Sequence, residues 1–214
     1  MNKYLKFCLR LLVQPPELVS FVTALLRGTL YILWFRLTRR NVIIRFPFLC
    51  HARVEISGPG KVFIDRRCSV YMNTFDHLAI MTLSRHASVT IGRNCTLGGV
   101  TIRCRGRIAI GDNVLTAGNL IQDVAVCNAS LQANARSDAR APSEAVSGDI
   151  MIGNDVWLSG QALVLDGSTI GDGSVIGLNC LLYQKRIDDH CLVVGNPALR
   201  PVSIAKLDGL VRAH

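Results

Sequence analysis

The chain has 214 residues, 50% of them apolar and 18% charged, with a formal net charge of +9. This length holds one sizeable core, and this composition excludes a disordered chain. The charge is local: residues 1–45 carry Lys3, Lys6, Arg10, Arg27, Arg36, Arg39, Arg40 and Arg45 against the single acid Glu17.

Residues 1–50 read as a basic, apolar, helical segment. The run Leu18–Phe35 (LVSFVTALLRGTLYILWF) is long enough to suggest a membrane span, but Arg27 and Gly28 sit at its middle. An Arg at the centre of a span costs roughly 2.5–3.5 kcal/mol. No small-residue cleavage site follows, which argues against a signal peptide. Two placements remain open. Tyr31, Trp34 and Phe35 beside basic residues suit an interfacial helix, with residues 1–45 in peripheral contact with an anionic membrane. Alternatively, the helix packs on the body of the protein or on a neighbouring subunit. Nucleic acid is excluded, since the basic residues are interleaved with apolar ones that would then face water. The eight cysteines contain no C-x-x-C pair and read as reduced thiols. The expected location is the cytoplasm, with a peripheral position on the inner face of the plasma membrane as the variant.

From residue 152 the chain reads IGNDVW LSGQAL VLDGST IGDGSV IGLNCL. Every sixth residue is aliphatic: Ile152, Leu158, Val164, Ile170, Ile176 and Leu182. Four places further on stand Val156, Ala162, Ser168, Ser174 and Cys180, all small or modest in size. A period of six fits neither 3.6 nor 3.5, so a helix is excluded. It fits a three-sided coil in which one aliphatic residue per face points inward and stacks on its equivalents. The fold class predicted is all-β, a left-handed parallel β-helix over residues 51–200. The element recurs upstream at Ile64–Cys68, Ile91–Cys95 and Ile110–Val114, so the repeat runs from about Val54 to Ala198. At the in-phase positions Asn128, Asn134 and Arg140 the pattern turns polar, and residues 124–149 are predicted to be a loop extruded from the prism. Residues 201–214 form a tail, with a short helix expected over Ser203–Ala213.

The motifs IGNDVWL, IGDGSVIG and VVGNPA within Asp149–Arg200 resemble the hexapeptide-repeat O-acetyltransferases. That family includes the maltose, galactoside and xenobiotic enzymes and those acting on capsule, lipopolysaccharide and exopolysaccharide sugars. The resemblance implies a homotrimer that uses acetyl-CoA, or another acyl-CoA, as co-substrate. It implies transfer to a sugar hydroxyl of a surface polysaccharide or of its lipid-linked precursor. By the same resemblance Trp157, Ser159, Gly160 and Gly177 line the pantetheine arm, with Asn196, Pro197 and Arg200 near the nucleotide end. Each of these residues also has a bland reading as corner packing, turn glycine or solvated charge.

Acyl transfer to a hydroxyl needs a base. The family places a histidine in a short Asp-x-His setting before the long loop. Here the stretch is Gln122–Asn128, with Cys127 at the histidine position and Ala125 at that of the aspartate. Asp123 lies just before. Three readings follow: His77, preceded by Asp76, or His86 acts as base; Cys127 is an acyl-carrying nucleophile; or the chain is a catalytically inactive trimer serving as scaffold or regulator of polysaccharide assembly. A sugar-nucleotide N-acyltransferase is a further alternative. No metal is expected, because the five histidines have no ligand spacing.

Overall fold

In the computed structural model of the chain, residues 15–71, 77–124 and 148–205 are described. The left-handed parallel β-helix is the fold. Each of the first six coils contributes one strand to each of three faces, and the seventh contributes to two of them. Face A stacks Val42–Ile44, Lys61–Ile64, Ser88–Ile91, Arg107–Ile110, Ile150–Ile152, Thr169–Ile170 and Arg186–Ile187. Face B stacks Phe48–Cys50, Cys68–Tyr71, Thr96–Gly98, Leu115–Ala117, Trp157–Leu158, Val175–Ile176 and Cys191–Val193. Face C stacks Arg53–Ser57, His77–Thr82, Thr101–Cys104, Leu120–Gln122, Leu163–Leu165 and Leu181–Leu182. All six hexad positions from Ile152 to Leu182 are buried in the core. Burial of each such side chain contributes about 1.5–3 kcal/mol. Cys68, Cys95 and Cys180, at small-residue positions, are fully buried beside them.

One side of the prism keeps the hexad throughout. From the inward residue of face A to that of face B the step is six residues at Ile44–Cys50, Ile64–Val70, Ile91–Leu97, Ile110–Thr116, Ile152–Leu158, Ile170–Ile176 and Ile187–Val193. Its corner is built repetitively. Arg67, Asn94, Asn113, Asp155 and His190 all adopt φ of 53–64° there. Asn94 Nδ2 donates to Asn113 Oδ1 and Asn113 Nδ2 to Asp155 Oδ1, each at 2.8 Å. Asn and Asp suit this left-handed conformation because their short polar side chains bond locally.

The other corners vary. From face B to face C the step is six residues at Leu158–Val164 and Ile176–Leu182 but only five at Leu97–Ile102 and Thr116–Ile121. From face C to face A it grows to 31 residues at Ile121–Ile152. The register nevertheless passes straight across that insertion, with Ile108 against Ile150 and Ile110 against Ile152. Of the predicted loop, residues 125–147 lie outside the described residues.

The solenoid begins earlier than the sequence reading placed it. Of the helical segment expected over residues 1–50, residues 1–14 lie outside the described residues, Pro15–Thr38 forms a helix, here α1, and Val42–Ile44 and Phe48–Cys50 already belong to the first coil. The first coil escaped notice because Val42-Ile43-Ile44 is followed by Arg45 and Phe46 rather than by the glycine and acid that mark later corners. Pro15 and Pro16 open α1 at positions where their missing N–H groups have no intrahelical partner, and Glu17 favours its positive end. The helix lies against the first coil: Ala24, Gly28 and Phe35 are buried, and Val54 N donates to Tyr31 Oη at 3.4 Å. A Cβ at Gly28 would stand 1.8 Å from the Phe48 carbonyl oxygen, so the two backbones touch there. At the far end Val202–Ser203 pairs antiparallel with Cys191–Leu192. Of the helix expected over Ser203–Ala213, Ser203 belongs to that strand instead, Ile204 and Ala205 are helical, and residues 206–214 lie outside the described residues.

Candidate active site

The corner between faces B and C assembles most of the predicted residues. Its outward column reads Tyr71, Gly98, Ala117, Ser159, Gly177 and Val194 from one coil to the next. The bulky ends enclose four small residues, leaving a trench along the prism edge. At the parallel-strand repeat of ~4.8 Å the trench runs about 14 Å between Gly98 and Gly177. Two of its glycines are packed closely from the next coil: a Cβ on Gly177 would meet Val194 Cγ1 at 2.8 Å, and one on Gly160 would meet Leu178 Cδ1 at 3.0 Å. Trp157 stands beside the trench on face B, 49% exposed. Asn196, Pro197 and Arg200 follow the last face-B coil at its C-terminal end, where Leu181 N donates to Gly195 O and Ala198 N to Leu181 O.

At the other end lies a recess of about 370 Å³ lined by His77, Gly99, Thr101, Arg103, Gly118, Asn119 and Leu120. The short corners create it. The face-C register sets His77 over Gly99 and Gly99 over Gly118, two places before the Ala79–Thr101–Leu120 row. Two coils thus carry no side chain beneath the imidazole. Asn119 is buried and structural: its Nδ2 donates to Ser159 O at 2.7 Å and its Oδ1 accepts from Ala117 N at 2.6 Å. The groups left facing the recess are the His77 imidazole, the Thr101 hydroxyl and the exposed Arg103 guanidinium. Arg103 and Thr101 carry no sequence signal, since they are ordinary outward positions of a strand. Only the neighbouring glycines make them the walls of a cavity.

The other predicted residues fall elsewhere. His86 lies in the turn after the strand His77–Thr82, at the opposite edge of face C, where its N–H bonds Ser84 Oγ at 3.2 Å. It does not share the recess. Asp123 is 0% exposed. Its carboxylate accepts from Arg105 N at 2.7 Å and from Gly106 N at 2.8 Å, holding the turn of the coil above. Asp166, the next residue in that column, accepts in the same way from Gly148 N. Asp123 is therefore committed to backbone inside the prism. Cys127, Ala125 and Asp76 lie outside the described residues. The nearby Cys104 thiol is pushed up to about 12 by burial and by the Asp123 charge. Among the described residues, no group of three or more His, Cys, Asp or Glu side chains is placed to hold a metal.

No protein-family profile matches the chain, and no curated protein matches it by sequence. Solved structures do. The class defined by the fold is the parallel β-helix of three-sided coils. The chain is similar to the polySia-specific acetyltransferase NeuO, with 20% identity and a TM-score of 0.52 over 76% of this chain and 70% of that one. It is equally similar to AntD, an N-acyltransferase from Bacillus cereus solved with dTDP and coenzyme A. There the identity is 15% and the TM-score 0.52, over 79% and 90% of the two chains. At these identities the likeness is one of fold.

Proposed function

We propose that the chain is an acyl-CoA-dependent O-acyltransferase whose acceptor is a sugar hydroxyl of a surface polysaccharide or its lipid-linked precursor. The observation that carries this reading is the small-residue trench of Gly98, Ala117, Ser159 and Gly177 leading to the His77 recess. A trench floored by backbone at glycine-bearing corners suits the amide chain of pantetheine. Trp157, Ser159, Gly160 and Gly177 hold that arm, and Arg200 suits phosphate at the nucleotide end. Bound acyl-CoA supplies an activated acyl group. His77 takes the proton of the attacking hydroxyl and returns it to the departing thiol, and the Arg103 cation favours negative charge developing between them. Leu115, Trp157, Leu178 and Leu199 expose apolar surface around the same edge, which a neighbouring prism in a homotrimer would cover. Two solved neighbours of this fold are acyl-transfer enzymes by name, one of them an N-acyltransferase.

A second reading, a trimer that has lost catalysis, is favoured by Cys127 at the family's histidine position and by the backbone-bound Asp123. Calorimetry with acetyl-CoA separates the two. The expected result is saturable binding that weakens about tenfold or more in Gly177→Val and in Trp157→Ala, since each removes trench contact. His77→Ala should bind normally yet lose about 100-fold or more of acetyl transfer to an acceptor glycan. Absence of binding by any acyl-CoA would overturn the enzymatic reading. Full turnover in His77→Ala would move the base elsewhere.

A further inference from the structure

Helix α1 is apolar on two opposite faces. At 100° per residue, Ala24, Gly28, Tyr31 and Phe35 form one stripe, packed on the first coil. Val19, Val22, Leu26, Leu30, Leu33 and Leu37 form the other, centred about 180° away, and all six are exposed. Leu37 is 84% exposed, and Trp34 extends the stripe at 62%. Arg27, Leu30, Tyr31, Leu33, Trp34 and Leu37 also border an open groove of about 590 Å³. Arg27 and Arg36 flank the outer stripe on its two sides, and exposed Arg40 follows at its C-terminal end.

We infer that the outer face of α1 docks the protein onto an anionic lipid bilayer, lying in the interface rather than spanning it. The charges select the occupant. A second copy of the helix laid face to face would bring Arg27 and Arg36 against their own equivalents, and Glu17 is the only acid in residues 1–45 to offset them. Anionic headgroups neutralise all of them, while the leucines and Trp34 enter the acyl boundary. By length and composition Glu17–Thr38 is apolar enough to cross a membrane. Its inner face is nevertheless occupied: Gly28 abuts the Phe48 carbonyl, Arg27 Nη1 donates to His51 O at 3.2 Å, and Ser20 Oγ lies 3.4 Å from His51 Nδ1. Spanning would strip α1 from the first coil and place Arg27 in hydrocarbon. Interfacial docking keeps every one of these contacts and is independent of the chemistry at His77.

The test is flotation of the full chain with vesicles of phosphatidylcholine alone and with about 30% phosphatidylglycerol, at low and high salt. The variant is Leu30→Glu/Leu33→Glu/Leu37→Glu, whose side chains are exposed, so that folding is unaffected. Expected are binding to the anionic vesicles, a fall of about tenfold or more in the variant, release by alkaline carbonate, and quenching of Trp34 by brominated lipid that is lost in Trp34→Phe. Equal partition of variant and parent, or no binding at all, overturns the inference. So does a change of oligomeric mass in the variant, which would assign the stripe to a second copy. Resistance to carbonate extraction would overturn interfacial docking in favour of a span.

Discussion

Substitution of Asp123 distinguishes a buried turn cap from a catalytic acid. In Asp123→Ala two part-buried N–H groups, those of Arg105 and Gly106, lose a charged acceptor at 2.7 and 2.8 Å. Hydrogen bonds to a charged group contribute roughly 1.5–3 kcal/mol each, so together they amount to about 3–6 kcal/mol. Relaxation of the turn toward water recovers part of this, and the expected loss is about 3–4 kcal/mol. Asp123→Asn keeps one accepting oxygen but turns an amide N–H toward a backbone N–H, and should lose about half as much. Urea unfolding followed by circular dichroism reads this as a lower midpoint at constant slope. Amide exchange at Arg105 and Gly106 should rise in step, while acetyl-CoA affinity per folded molecule stays unchanged. An Asp123→Asn protein with the parent midpoint and no turnover would refute the capping role and return Asp123 to the chemistry.

Two further outcomes follow from the packing. Gly28→Ala gains about 1 kcal/mol of helix propensity, but its Cβ meets backbone at 1.8 Å, and overpacking of that kind costs about 1–3 kcal/mol. The clash should win, with faster amide exchange in α1 and the first coil, and a more stable variant would show that the helix is not seated on Phe48. The Cys50 and Cys180 thiols are pushed up chiefly by burial, Cys68 by its hydrogen bond with Cys95 and by burial, and Cys104 by burial to about 12. At neutral pH iodoacetamide should leave these four unmodified in the native protein and modify them after unfolding, as mass spectrometry reads directly. Because the folded state disfavours the Cys104 thiolate, its contribution to stability is complete below the ordinary thiol value and should be lost as pH rises from about 9 to about 12. Rapid native labelling at any of the four would contradict their burial.

The period of six determined the solenoid, because an inward aliphatic residue on every face is a requirement each coil must meet locally. Ile152, Leu158 and Val164 announce it without any long-range information. Ser159, Gly160 and Gly177 are singled out by the resemblance of IGNDVWL and IGDGSVIG to a known family, and the structure sets Ser159 and Gly177 in one column. The period lost phase upstream because the corner from face B to face C shortens by one residue at Leu97–Ile102 and Thr116–Ile121, and a sixfold count cannot absorb a step of five. It also missed the first coil, whose Val42–Ile44 strand lacks the marker glycine. Only stacking of the coils decided that His77 overhangs Gly99 and Gly118, that His86 stands at the opposite edge, and that Asp123 turns inward onto Arg105 and Gly106. Likewise, the sequence shows α1 as uniformly apolar, and which of its two faces is left outward depends on where the backbone of Phe48 meets Gly28. These are relations between residues about twenty positions apart, set by register from coil to coil, which a one-dimensional pattern does not encode.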